Sequence, residues 1–297
     1  MVGCGALVLL LAATVTVGLV ALRSQLLGPE GHYFDSGDVR IHYTDEGAGT
    51  PVVLVHGLGM TAHAQWRRSG QIDIFKKRHR VITLDNRGHG RSDKPHDPGQ
   101  YGAEMSEDLV RLLDHLQIRK AHVVGYSLGG IITLKFVATH PDRVLSAAVC
   151  AAGWGGQRPT PENLAFAEAV ARGFERGEID LVLKRLGGYP QLNFAERLGV
   201  RTALTLSGMS RSLAAVIRGL HGLDATEEQL RANTVPVLTI IGDKDGLLSD
   251  AQALHDHMAN NTLVILPGAN HGSAGGAASF LPELEVFMQN STLKAPT

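Results

Sequence analysis

Cysteine is nearly absent from this chain of 297 residues. Cys4 and Cys150 are the only two, too few for a disulfide framework and too far apart for a CxxC zinc or redox motif. Aromatic residues are sparse, at 5 %. Neither sign of charge is in excess: 28 Lys and Arg stand against 29 Asp and Glu, a formal net charge of −1. No basic surplus therefore points to nucleic acid or another polyanion. Charged residues make up 19 % against 44 % hydrophobic, the reverse of a disordered chain. There is no Gly-Lys pair and hence no P-loop, no HExxH, and no comparable cluster of metal ligands. Glycine is plentiful, with 35 residues and no collagen-like period, which implies many tight turns. The length suits one large domain or two small ones.

Long charge-free runs are also lacking, except at the start. Val2 to Leu22 carries no charge and no proline. As a helix it would span roughly 30 Å, the thickness of a bilayer's hydrocarbon core. A core helix would show a polar face, and here only Thr14 and Thr16 interrupt the run. A cleavable signal peptide wants a basic start and a small-x-small exit, and neither is present before Arg23. Residues 1–23 are therefore read as an uncleaved single-pass membrane anchor. A signal peptide, with a secreted or periplasmic protein, is the alternative. The lone Arg23 weakly places the C-terminal side in the cytoplasm.

Beyond it, residues 25–36 read as a polar link, and short apolar runs then alternate with helical patterns. Val39 to Tyr43 alternates like an exposed edge strand. Val52–Val55, Val81–Leu84, Val123–Val124, Leu145–Val149, Val235–Ile241 and Leu263–Leu266 read as strands buried on both faces. Met105, Leu109, Leu112 and Leu116 form a helical stripe, Ile131 to Thr139 another helix, and Leu254 with Met258 and Phe280 with Leu284 two more. This alternation predicts an α/β fold: a mostly parallel sheet with helices on both faces. From Trp154 to Asn233 the strand pattern stops. The expected organisation is a core of residues 24–153 and 234–297, with residues 154–233 inserted as a helical unit.

The strongest chemical signal is Gly125-Tyr126-Ser127-Leu128-Gly129-Gly130, between a strand and a helix. G-x-S-x-G in that setting is a nucleophile elbow, whose glycines admit a turn too tight for side chains. A serine needs a base, and the base an orienting acid. His271 follows the last strand in Gly268-Ala269-Asn270-His271-Gly272. Two acids follow the strand ending at Ile241: Asp243 and Asp245. Asp243, at the strand end, suits a local turn-forming role. Asp245 lies deeper in the loop and is the expected acid. The oxyanion donors are expected to be the backbone amides of Leu58, after His56-Gly57, and Leu128, after the serine. His255 and His257 lie on a helix and read as solvated. Gly57-Leu58-Gly59-Met60-Thr61-Ala62 also matches a dinucleotide fingerprint, with Asp85 downstream. That reading leaves the elbow and His271 unexplained.

Taken together these motifs resemble the α/β-hydrolase superfamily, in its esterase- and lipase-like group with a helical cap. His56-Gly57-Leu58-Gly59 is similar to the family's oxyanion loop. Asp85-Asn86-Arg87-Gly88-His89-Gly90-Arg91-Ser92 is similar to its D-x-R-G-x-G-x-S segment, and His140-Pro141-Asp142-Arg143-Val144 to the boundary that follows the elbow helix. The resemblance spans roughly residues 33–289. It implies acyl transfer to water from a small-molecule ester by a serine hydrolase, with no cofactor and no metal, and residues 154–233 as the cap. Serine in the elbow argues against dehalogenases and epoxide hydrolases, which place aspartate there. Carbon–carbon bond hydrolases and thioesterases share the same triad. A non-enzymatic ligand receptor on the same fold is the alternative from another class, and an intact triad argues against it.

Overall fold

A computed structural model describes residues 27–156, 160–187 and 189–294. The run from Val2 to Leu22, and with it the expected anchor, lies outside the described residues. Among those described, no helix is long and apolar enough to cross a membrane.

Eight strands form one sheet: β1 (His32–Ser36), β2 (Val39–Gly47), β3 (Thr50–Val55), β4 (His79–Leu84), β5 (Ala121–Tyr126), β6 (Val144–Cys150), β7 (Val237–Gly242) and β8 (Asn261–Leu266). Their order is β1-β2-β4-β3-β5-β6-β7-β8, and β2 alone runs against the others. Two expectations shift here. The polar link contains β1, which pairs His32 with Tyr43 through Ser36 with Val39 and takes the edge from β2. The last strand, β8, is not buried on both faces: it forms the other edge, and Ile265 is exposed.

Side chains alternate across the sheet, as the pleat requires. From β3, Val53 and Val55 face one core, which is covered by α2 (Ala103–His115), α3 (Leu128–Thr139) and α9 (Leu248–His257). Val52 and Leu54 face the other, covered by α1 (Gln71–Phe75) and α10 (Phe280–Lys294). Between β6 and β7 the described residues form only helices: α4 (Pro161–Glu175), α5 (Asp180–Leu186), α6 (Phe194–Ser207), α7 (Ser210–Gly219) and α8 (Glu227–Arg231), with one 3₁₀ turn. Val170, Phe174, Leu204, Met209 and Leu213 give this segment its own small core.

The strand order reverses at β3. The chain leaves β3 toward β4 on one side, and β5 returns on the other. The loops beyond β3 and β5 therefore diverge, opening a crevice at the C-terminal edge where α/β sheets hold their ligands.

Candidate active site

Ser127 sits in that crevice, at the tip of β5. Its φ of +55° is rare for a residue with a side chain and costs on the order of 1–3 kcal/mol. Close packing holds the turn in that shape. A Cβ on Gly125 would lie 2.0 Å from the Gly129 carbonyl, and one on Gly129 would lie 2.1 Å from the Val55 carbonyl. Only glycine admits those approaches. The Ser127 amide donates to the Cys150 carbonyl at 2.8 Å, tying the elbow to β6. α3 starts at the next residue, so the hydroxyl stands at a helix N-terminus, where the dipole favours negative charge.

Three residues far apart in sequence meet here. His271 Nε2 lies 2.9 Å from Ser127 Oγ, and His271 Nδ1 lies 2.9 Å from Asp245 Oδ2. A carboxylate only accepts, so Nδ1 carries the proton and donates to it. Nε2 is then free to accept from the serine hydroxyl. Asp245 and His271 are buried, whereas Ser127 is half-exposed. Asp243 is exposed at the mouth of the loop. The local turn bond expected of Asp243 is instead made by Asp245, whose Oδ1 accepts from the Leu247 amide at 2.9 Å while Oδ2 faces the imidazole.

The loop after β3 lies against the serine: a Cβ on Gly57 would come within 3.2 Å of the Ser127 Cβ. His56 fixes the loop's orientation. Its Nε2 accepts from the Asn86 amide at 2.9 Å, so its Nδ1 must carry the proton, and it donates to the Gly57 carbonyl at 2.8 Å. Burial holds the His56 imidazole below its ordinary pKa, which keeps this neutral form. In a trans peptide the C=O and N–H point opposite ways, so pinning the Gly57 oxygen turns the Leu58 N–H away from His56. Among the described residues the Leu58 amide has no acceptor. The Leu128 amide opens the first turn of α3, where no intrahelical acceptor exists.

The segment after β4 braces this loop. Asp85 accepts from the Ala62 and Arg91 amides, both at 2.9 Å, and from His42 Nδ1 at 3.0 Å. Burial works against its charge, but the hydrogen bonds from His42 and the Arg91 amide outweigh it and lower the carboxyl to about 2. Arg87 is fully buried and bidentate on Asp108, whose Oδ1 also accepts from Ser36 at 2.5 Å. Asp85 and Arg87 stand in the segment quoted above, but Asp108 lies on α2, and nothing in the sequence pairs it with Arg87.

Two further connections are invisible in the sequence. Tyr126, the variable residue of the elbow, donates its hydroxyl to the His271 carbonyl at 2.5 Å and accepts from the Gly275 amide at 3.3 Å. The serine's neighbour thus holds the histidine's loop. The helical segment also grips the acid's loop. The Gly246 amide donates to the Leu186 carbonyl at 2.7 Å. Arg185 donates to the Gly246 carbonyl at 2.6 Å and to Asp250 at 3.0 Å. Elsewhere Ser212 donates to the Gly88 carbonyl at 2.7 Å, and Leu58 packs against both the sheet core and the helical segment's own core. Neither His255 nor His257 reaches the site; His257 packs on Trp154 at 4.7 Å instead of standing free in solvent. Among the described residues no three His, Cys, Asp or Glu side chains could hold a metal ion.

Known proteins are similar to this chain in sequence or in fold. A protein of Azorhizobium caulinodans named as carbamate hydrolase RutD is 38 % identical over 41 % of this chain and 44 % of its own length. A non-heme haloperoxidase of Rhodococcus erythropolis is 29 % identical over 80 % of this chain and 91 % of its own. A carboxylesterase structure from Nitrososphaera gargenis superposes with a TM-score of 0.71 at 23 % identity, covering 89 % of this chain and all of that one. The match to the first thus spans under half of that relative's length, and at such identity the structural likeness speaks for the fold alone. Residues 50–274, most of the chain and all of the elements that place Ser127, Asp245 and His271, match the model of the alpha/beta hydrolase fold, and the chain belongs to that family.

Proposed function

We propose that this protein is a serine hydrolase that cleaves a carboxylic ester or related acyl bond through Ser127, His271 and Asp245. One observation carries the reading: an unbroken chain from Asp245 through His271 to Ser127, with 2.9 Å at each step, beside two amides free to donate. Ser127 Oγ attacks the carbonyl carbon while His271 Nε2 takes its proton. Asp245 stabilises the imidazolium that forms. The negative oxygen of the tetrahedral intermediate is held by the Leu58 and Leu128 amides. Loss of one such donor costs about 10²–10³ in rate elsewhere. His271 then protonates the leaving group, and water repeats the sequence on the acyl-enzyme. Every group required is a side chain or an amide of this chain, so the reading needs no metal or cofactor.

The named relatives act on different groups, so the choice of acyl transfer rests on the site and not on likeness. Carbon–carbon bond hydrolysis and thioester cleavage use the same constellation and remain the alternatives within it. Residues 154–233 are read as a cap that sets substrate choice, since they reach the loops of Leu58, Gly88 and Gly246. Residues 1–23 are read as a single-pass anchor on their sequence alone. A fluorophosphonate probe tests the central reading, because it labels an activated serine whatever the substrate. Wild-type protein should be labelled and Ser127→Ala should not. Labelling retained in Ser127→Ala would remove the assignment.

A further inference from the structure

Nine large hydrophobic side chains are exposed among the described residues, and five of them lie between Leu164 and Leu198. Their placement is regular. α4 and α6 bury their C-terminal halves, through Val170, Phe174 and Leu204, and leave their first turns outside the protein. Phe194 is 83 % exposed and Leu198 54 %, four residues apart and so on one face of α6. An ion pair of 2.6 Å between Arg197 and Asp180 brings the start of α5, with exposed Leu181, alongside that face. Leu164 and Phe166 stand bare on the opening turns of α4. Exposed apolar residues scattered singly need no explanation, but a set gathered on one part of a molecule marks an interaction surface.

The course of the chain indicates what covers it. Leu27 lines a cavity of about 10 Å³ together with Ala62 and His63, which follow β3. The next carbonyl, Gly28, accepts from the Arg91 guanidinium at 2.7 Å, in the loop after β4. Both loops lie at the C-terminal edge of the sheet. The 26 residues before Leu27, charge-free from Val2 to Leu22, therefore join the domain on the edge that the helical segment covers. The helical segment that carries the bare turns of α4 and α6 is bonded to the same edge, through Ser212 to Gly88 and Leu186 to Gly246. Charge adds nothing to the attraction: residues 160–199 carry six acidic and five basic side chains.

We propose that the first turns of α4 and α6 insert into the surface of the bilayer that holds the N-terminal run, and that the site draws its ester from that bilayer. The substrate class is then a long-chain acyl ester resident in lipid, as opposed to a dissolved one. The substrate half rests on the hydrolase reading, and the geometry rests on the anchor reading of residues 1–23. Phenylalanine and leucine suit such shallow burial, and the balanced charge predicts docking to zwitterionic lipid that salt does not weaken.

The test uses the full-length chain reconstituted in phosphatidylcholine vesicles. The native tryptophans, Trp66 and Trp154, are buried, so the fluorescence of a Phe194→Trp variant can be separated from theirs. Lipid brominated near the headgroup should quench that added signal, in low and high salt alike. The double variant Phe194→Ser/Leu198→Ser should hydrolyse a long-chain ester dissolved in the vesicle at least about tenfold more slowly, and a water-soluble acetate ester at the wild-type rate. Absence of quenching overturns the proposal, as does an equal loss on both esters. Quenching that disappears when each vesicle holds a single copy assigns the face to a second chain and also overturns it. Quenching of the Phe194→Trp variant together with a wild-type protein that hydrolyses neither ester leaves docking supported and removes the hydrolase reading.

Discussion

Arg87 and Arg218 make similar contacts in opposite surroundings. Arg87, at the sheet edge, donates through Nε and Nη2 to Asp108, and both side chains are almost wholly buried. Arg218, in the helical segment, donates through Nε and Nη2 to Glu168 and through Nη1 to Glu175, and all three side chains reach solvent. Other pairs of that segment, Arg172 with Glu168 and Arg176 with Glu178, are more exposed still. A buried pair holds its neighbours in one geometry, because breaking it leaves a charge stranded. An exposed pair exchanges with water at little cost. The molecule thus braces the loops of its candidate site with a buried pair and covers them with helices whose ion pairs reach solvent.

The largest effect should come from Ser127→Ala. It removes one oxygen from the frame and should lower turnover by about 10⁶, as loss of the nucleophile does in a comparable triad. Its melting temperature should stay within a few degrees of wild type. A large fall in melting temperature would mean that the elbow depends on the hydroxyl for stability. Next, Asp245→Asn should cost about 10⁴ in kcat through the wrong imidazole tautomer. Asp243→Asn, in the same loop but exposed, should leave kcat within about twofold. The reverse pattern would move the acid to Asp243.

Stability tests the comparison itself. Arg87→Met should cost about 3–5 kcal/mol in urea unfolding, since Asp108 is left buried and unpaired. Arg218→Met should cost less than about 1 kcal/mol. Equal costs would erase the distinction between the two regions.

Acid should weaken the frame for a related reason. Burial above all lowers the imidazole of His89 to about 3 and that of His122 to about 4, so both are neutral when folded. Their ordinary value is 6.5, so the unfolded chain binds protons first as pH falls. The stabilisation is complete above about pH 6.5 and lost progressively below it, about 2 kcal/mol for His89 by pH 5. Asp85, lowered to about 2, adds a further loss only below about pH 4. Urea midpoints at pH 7.5 and 5 measure this, and equal midpoints would show that these rings are not buried neutral.

The smallest effect should come from the helical segment. Burial of Tyr189, reinforced by nearby Asp245, raises its phenol, and its hydroxyl lies against Gly272. Tyr189→Phe should change the ratio of rates on short and long esters by a few-fold at most. Phe174 and Met209, in the same segment, are buried in its own core and should act on stability instead.

What the sequence made legible follows from which interactions are local. The strands from β3 to β7 read directly as apolar runs because parallel strands are buried on both faces. β1 was hidden, since an edge strand such as His32-Tyr33-Phe34-Asp35-Ser36 alternates polar and apolar residues over only five positions. α1 and the π turn at His63–Arg67 are too short to show a helical period. Ser127 and His271 could be picked out because each needs a turn with its own glycine signature. Asp245 could be preferred over Asp243 by its depth in the loop and by the resemblance, in which the second aspartate is followed by apolar residues such as Leu247-Leu248. The contacts of Tyr126, Arg87 and Arg185 join residues brought together by folding, and no short-range pattern records them.

The bonds from Arg185 and Leu186 to Gly246 have a consequence for timing. Any outward swing of α5 must first break hydrogen bonds made by the residue next to Asp245. Access to the crevice and the aim of the acid are therefore not independent quantities. Lifting α5 would take from Gly246 both of those bonds, and with them a support of the loop that holds Asp245 against the imidazole. The contact that covers the crevice is thus also one that fixes the geometry beneath it.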